Sequence, residues 1–445
     1  MKKILIILSL VLISCIDVYA EKRTGYVIGT SIYLNGEEAK ILNDNDYYTS
    51  IDIKANDTIE LYSPKSIKGA YIIYSVNAKT GNISYSGTWQ MIGENGFLHE
   101  YIELDGITKK FDLTYKDDVT IKEIFVFNTD APEWVEKWQK SYDDADVLLF
   151  SAHSDDEHLF FAGLIPKMID DGKKIQVAYF TIHDEKPYRF DESLNGLWAA
   201  GVRNYPVYGI VHDKYAWTLN EAISNLKKTG LSIEDAIKYE VDLIRRFKPE
   251  IVVSHDEKGE YGHGQHMLTT YILEQSVKYL NDSRYNSDYE PFEPYKIYIH
   301  LYEENPIVMD YDIPLSYYGG KTAFQVSMNA FSKHVTQQHI DAAKWQYLNN
   351  AKEIKQYSPL YYGLYYSRVG YENEDNNMFY NVPEPVIEDK EEVPKDNIEK
   401  PLVKEESDDS IINLFRTILI ILTVLLIIAN LLAIIIKQRE KKKEN

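Results

Sequence analysis

Between Thr24 and Asn128 the chain is built of short runs rich in β-branched and aromatic residues: 25–34, 58–63, 69–76, 82–91, 97–104, 109–115 and 120–128, each bounded by Gly, Asn, Asp, Lys or Pro. In a strand successive side chains point to opposite faces, so runs of this length and composition read as strands between turns. Their spacing predicts a β-sandwich over residues 21–140. Trp89 and the local tyrosines are read first as filling the space between the two sheets; stacking on a sugar is the alternative.

After Pro132 the pattern changes. Val147 to Ser151, Ile175 to Thr181 and Ile251 to Ser254 are apolar without alternation, as strands covered on both faces are. Helices are predicted between them, at Ser193 to Ala200 and at Ile233 to Phe247, the second following Ser232 as N-cap with Asp235 three residues on. Strands alternating with helices predict an α/β domain with a mainly parallel sheet over residues 141–383. Ligand sites in such sheets lie beyond the carboxyl ends of the strands.

The ends of the chain read differently. Lys2 and Lys3, an apolar run from Ile4 to Leu12 and the exit Val18-Tyr19-Ala20 predict a signal peptide over residues 1–20. Leu12-Ile13-Ser14-Cys15 offers a lipidation reading of the same segment, with Cys15, the only cysteine, as the modified residue. Residues 384–410 mix Glu, Asp, Lys and Pro and predict an extended linker. The apolar run Thr417 to Ile436 predicts a membrane-spanning helix within 411–436, and the basic tail 437–445 predicts a cytoplasmic end. The expected location is therefore the cell membrane, single-pass, with the α/β domain outside. A formal net charge of −21 argues against nucleic acid as a partner.

Two stretches carry candidate chemistry. Ala152-His153-Ser154-Asp155-Asp156-Glu157-His158 follows the first predicted strand of the α/β domain, and Gly259-Glu260-Tyr261-Gly262-His263-Gly264-Gln265-His266 follows the third. His153 and Asp156, three apart in a tight turn, can face one side, and His266 would close a set of two imidazoles and one carboxylate. That is a donor set for catalytic Zn2+, which keeps a further position for water. Asp155 is left free as general base, and His263 is placed to assist a developing oxyanion or a leaving amine. His158, His183 and His255 are read as solvated or peripheral loop residues rather than ligands.

The two stretches together resemble the signatures of the PIG-L/LmbE-like zinc N-deacetylases, an AHPDDE segment followed by a GHxDH-type segment. The resemblance runs from about Asp144 to Tyr380. It implies a Rossmann-like fold and removal of acetyl from an N-acetylglucosamine-type amide. It also implies zinc on His153, Asp156 and His266, a general base at Asp155, assistance from His263, and substrate contacts from Tyr261 and Arg189. Arg189, three residues before Glu192, looks like the family's RxxE helix, and His334 to Gln337 resembles its late H-x-[ST]-Q segment. Ser154 stands where the family has Pro, and Gln265 where it has Asp. A neutral amide orients a neighbour without stabilising an imidazolium by charge, which leaves the protonation state of His263 open. The expected function is zinc-dependent deacetylation of an N-acetylated amino sugar or glycan. The alternatives are a zinc amidase for another N-acyl group and a glycan-binding protein whose metal site is not catalytic.

Overall fold

The computed structural model describes residues 23–76 and 78–384. The predicted signal peptide, the linker beyond Glu384, the helix at 411–436 and the basic tail lie outside the described residues. The placement in a membrane is corrected: among the described residues no helix is long and apolar enough to cross one, and the run on which it rested lies outside them.

The first hundred described residues form two antiparallel sheets. One has the order β2 (Glu37–Glu38), β1 (Ser31–Leu34), β4 (Thr58–Tyr62), β9 (Lys110–Tyr115), β6 (Gly81–Tyr85), β7 (Thr88–Ile92); the other has the order β3 (Ile51–Ile53), β10 (Val119–Phe127), β5 (Gly69–Tyr74), β8 (His99–Glu103). In β9 the alternation is strict, with Phe111, Leu113 and Tyr115 buried between partly exposed Lys110, Asp112 and Thr114. β5 is buried at every position, because Ala70, Ile72 and Tyr74 join the cluster shared with the first sheet while Tyr71 and Ile73 join Phe125, Phe127 and Val135 on the other face.

Two details depart from the expected runs. Residues 25–30 are turn and coil, so the first strand begins only at Ser31. Residues 82–91 are a hairpin rather than one strand: Tyr85 pairs with Thr88 across Ser86-Gly87, both at positive φ (50° and 82°). That two-residue turn matches the twist of the strands it joins. Trp89, on edge strand β7, is 64% exposed and fills no core.

The α/β part is built on a six-stranded sheet, β12 (Ile175–Tyr179), β11 (Val147–Ser151), β15 (Ile251–Ser254), β16 (Lys296–His300), β18 (Tyr361–Ser367), β17 (Pro306–Val308). The first four strands run parallel and the last two pair antiparallel. β13 (Thr181–Ile182) and β14 (Val211–His212) make a short parallel pair beyond β12. The helices used below are α1 (Asp156–Leu159), α2 (Leu164–Asp170), α3 (Tyr188–Ala199), α4 (Leu219–Lys228), α5 (Ile233–Phe247), α6 (Gly264–Ser276) and α7 (Ala323–Phe331). α5 occupies the span predicted for it, and Ser232 with Asp235 forms a reciprocal capping box at its start. α3 begins five residues before the predicted Ser193.

A buried ionic cluster joins the second sheet to α3. His99 on β8 places Nδ1 2.7 Å from Glu136 and Nε2 2.9 Å from Asp191 of α3. Lys122 of β10 reaches the other oxygen of Asp191, and Trp138 Nε1 donates to Glu136 at 2.7 Å. Burial alone would lower the His99 pKa, but the Glu136 and Asp191 carboxylates outweigh it and raise it. A raised folded pKa gives stability that is complete below the unfolded value of about 6.5 and is lost as pH rises through the folded value. His99→Leu is therefore expected to cost about 3–5 kcal/mol at pH 6 and less at pH 9, in denaturant unfolding at both. A gap that widens with pH would contradict the imidazolium.

Candidate functional site

The site lies where β11 and β15 end, beyond the carboxyl edge of the sheet. The loop leaving β11 is pinned on both sides: the Ala152 N–H donates to His255 Nε2 at 2.8 Å, and Thr181 donates to the Ala152 carbonyl from its N–H at 3.0 Å and its hydroxyl at 2.7 Å. Within this loop Asp155 sits at φ 145°, a strained value for a residue with a side chain. Its N–H donates to Glu157 Oε2 at 2.8 Å, which holds the turn in that conformation.

The turn brings His153 and Asp156 together as their spacing predicts. His153 Nδ1 lies 3.0 Å from Asp156 Oδ2, His266 Nε2 lies 3.3 Å from the same oxygen, and the two nitrogens are 3.3 Å apart. A tetrahedral zinc with arms of about 2.0–2.1 Å has donors about 3.3–3.4 Å apart, so the three atoms fit the donor triangle of such an ion. All three residues are buried.

The hydrogen bonds made by the far side of each ring fix its tautomer. Gln265 Nε2 donates to the His212 carbonyl at 3.0 Å, which turns its Oε1 to accept from His153 Nε2 at 2.7 Å. His266 Nδ1 donates to Glu260 Oε2 at 2.6 Å. Both rings thus present a lone pair, Nδ1 of His153 and Nε2 of His266, to the side of Asp156. Gln265 acts on His153, therefore, and meets His263 only through its backbone N–H, which donates to Nδ1 at 3.3 Å.

His263 and His255 also lie within reach of these donors. His255 has both nitrogens engaged, Nε2 by the Ala152 N–H and Nδ1 by Glu260 at 2.9 Å. His263 caps α6 through Nδ1 and keeps Nε2 uncommitted. Burial, reinforced by His153 and His266, pushes its pKa down. The imidazole is neutral and, with Nδ1 accepting, carries its proton on Nε2.

Asp155, next to Asp156 in the chain, pairs with Arg189, whose Nη2 is 3.2 Å from its Oδ1. Burial raises the Asp155 carboxyl to about 7 against the opposing pull of Arg189. Arg189 is buried, donates to the Ser154 carbonyl and faces Glu192 at 3.7 Å. Tyr261 stands at the rim, 42% exposed and at φ 48°, its ring 5.6 Å from that of His266. Tyr215 and Trp217 continue the rim, with ring centroids 4.8 Å apart and Tyr215 4.7 Å from His263.

Several neighbours escape a reading of motifs. His183, His255 and His158, read as loop histidines, are all buried. Glu260 accepts from His255, His266 and, at 2.6 Å, His300. Asp213, after β14, lies 3.6 Å from His153 Nε2 and 3.3 Å from His183 Nδ1. Glu260 sits inside the second motif, but no spacing rule marks it as the orienting carboxylate. Nothing in the local pattern marks Asp213 or His300.

Clustered imidazoles and carboxylates thus stand at the carboxyl edge of an α/β sheet. Residues 148–277 match the PIG-L family model, described as GlcNAc-PI de-N-acetylase, and are a PIG-L family domain. The chain is 24% identical over 174 residues to a 1D-myo-inositol 2-acetamido-2-deoxy-alpha-D-glucopyranoside deacetylase of Rhodococcus erythropolis, covering 34% of this chain and 59% of that one. It is 22% identical over 176 residues to the protein of the same name from Streptomyces scabiei, covering 34% and 54%. The chain thus spans under two thirds of the length of these curated relatives. Among solved structures, N,N'-diacetylchitobiose deacetylase from Pyrococcus horikoshii is 17% identical with a TM-score of 0.36, over 51% of this chain and 86% of that one.

Glu260 is expected to be the least replaceable of these groups. Glu260→Gln leaves three buried imidazoles facing one amide and should lower the unfolding free energy by about 3–5 kcal/mol in chemical denaturation. A loss under about 1 kcal/mol would show that its contacts are not those of a buried ion.

Proposed function

We propose that the chain is a zinc-dependent N-deacetylase acting on an N-acetylglucosamine-type amino sugar. The observation that carries this reading is the triangle of His153 Nδ1, Asp156 Oδ2 and His266 Nε2, 3.0–3.3 Å on each side, with the Asp155 carboxylate held beside it by Arg189. The family domain and the names of the relatives support the same reaction.

His153, Asp156 and His266 would hold the zinc, which when bound polarises the amide carbonyl and acidifies water. Asp155 takes the proton of the attacking water. Its paired Arg189 keeps the carboxylate oriented, and the buried setting that lifts its pKa makes it a competent proton carrier to the leaving amine. His263, neutral and with Nε2–H free, donates to the oxygen that gains charge as the carbonyl carbon becomes tetrahedral. Acetate and a free amine leave. Tyr261, Tyr215 and Trp217 give the rim an aromatic wall suited to a sugar ring.

On this reading residues 141–383 are the deacetylase domain and residues 21–140 a β-sandwich domain accompanying it. Exposed Trp89 makes glycan binding by the latter worth testing.

The full chain, assayed for zinc content and for acetate release from N-acetylglucosamine, chitooligosaccharides and related amides, tests the proposal. Asp155→Asn should keep its zinc and lose about 10²–10⁴-fold in kcat. His263→Ala should lose about 10²–10³-fold in kcat, and His266→Ala should lose the metal. Stoichiometric zinc without release from any amide would favour the glycan-binding alternative. Release that survives Asp155→Asn would remove the assigned base.

A further inference from the structure

Glu157, His158 and His334 form a second group whose donor atoms all lie within 4.8 Å of one another, and all three residues are wholly buried. None belongs to the donor triangle described above. The two rings lie 5.6 Å apart between centroids, and His158 Nε2 is 3.5 Å from Glu157 Oε1. All four ring nitrogens of His158 and His334 are without a hydrogen-bond partner. Buried polar atoms are nearly always satisfied, so two adjacent imidazoles with nothing to bond call for a ligand between them.

The surroundings are shaped to admit one. Gly196 lies inside α3, where glycine disfavours the helix. A Cβ there would fall 2.7 Å from His334 Nε2 and 3.0 Å from His158 Nε2. The two nitrogens converge on the space that the missing side chain leaves open. Glu157 is itself held: Tyr179 donates to Oε1 at 2.6 Å and the Asp155 N–H donates to Oε2 at 2.8 Å. Two imidazole nitrogens and a carboxylate oxygen suit a borderline divalent cation of the first transition row rather than Ca2+ or Mg2+, which favour all-oxygen sites.

We propose that Glu157, His158 and His334 bind a second divalent transition-metal ion, of the kind Zn2+ is, beside the first site. Because Glu157 also holds the Asp155 N–H, the ion would brace the strained turn that carries the proposed base.

The test is zinc stoichiometry of the full chain after saturation and dialysis, together with anomalous diffraction at the zinc edge. The expected result is two equivalents for the wild type and one each for His158→Leu and Asp156→Ala. A second anomalous peak should stand between His158 and His334. Gly196→Ala keeps every ligand but fills the space, and should also fall to one equivalent; it decides the matter if His158→Leu does not fold by circular dichroism. One equivalent in the wild type with His158→Leu unchanged, or an ordered water with no anomalous signal between the rings, would overturn the second site and leave the first untouched. Conversely, Asp156→Ala retaining both equivalents would sink the ligand set of the proposed deacetylase and not this one.

Discussion

The Glu260 carboxylate is the constraint on which the site depends. It is completely buried, and a lone carboxylate there would cost several kcal/mol. Burial by itself would raise its pKa; His255, His266 and His300 hold it well below the usual carboxylate range instead. Each imidazole comes from a different element: His255 from the end of β15, His300 from the end of β16, His266 from α6. One charge therefore ties two neighbouring strands to the helix that follows them. It also sets the chemistry, because His266 donates its Nδ1–H to Glu260 and is left with a lone pair on Nε2. His255, oriented by the same carboxylate, accepts the Ala152 N–H and so places the turn that carries His153, Asp155 and Asp156.

A second buried charge cluster acts on the other wall of the site. Asp191, between His99 and Lys122, anchors α3 to the N-terminal sheets, and two residues earlier on the same helix Arg189 grips Asp155. Buried ion pairs repay their desolvation poorly as stability, and replacing them with apolar groups is often neutral or better. What they do impose is position. Sliding α3 along the sheet would take Asp191 away from His99 and Lys122 and withdraw Arg189 from its partner, so the N-terminal sheets share in holding the Asp155 side chain.

The sequence was most legible where the physics is local. The capping box of Ser232 and Asp235 and the apolar runs of β11 and β15 lie within a few residues of the atoms they constrain, and the structure has them at those positions. His153 and Asp156 belong with these, since a three-residue separation in a tight turn limits where the two side chains can go. The turn at Ser86-Gly87 was hidden because the flanking residues on both sides have strand character, and only the positive φ pair interrupts them. Glu260, His300 and Asp213 were hidden for another reason. Their partners come from different strands, and the argument that a loop histidine is usually solvated fails wherever a buried carboxylate waits for it.

Gln265 shows how the electrostatics can differ while the geometry holds. An acid at this position would hydrogen-bond His153 Nε2 and add a negative charge to the far side of that ring. The amide makes the hydrogen bond, with its orientation enforced by the His212 carbonyl, and adds no charge. Asp213 supplies a carboxylate from the residue after His212, 3.6 Å from the same Nε2, and its pKa is lowered because His183 and His153 outweigh its burial. The ring is thus oriented by a neutral group and polarised by a charged one at longer range. The two partners of the donor histidines are then unequal, with His266 against a directly bonded carboxylate and His153 against an amide. His266 is the more basic imidazole of the two, and the negative charge that would have stood on α6 stands instead on the loop that carries the aromatic rim.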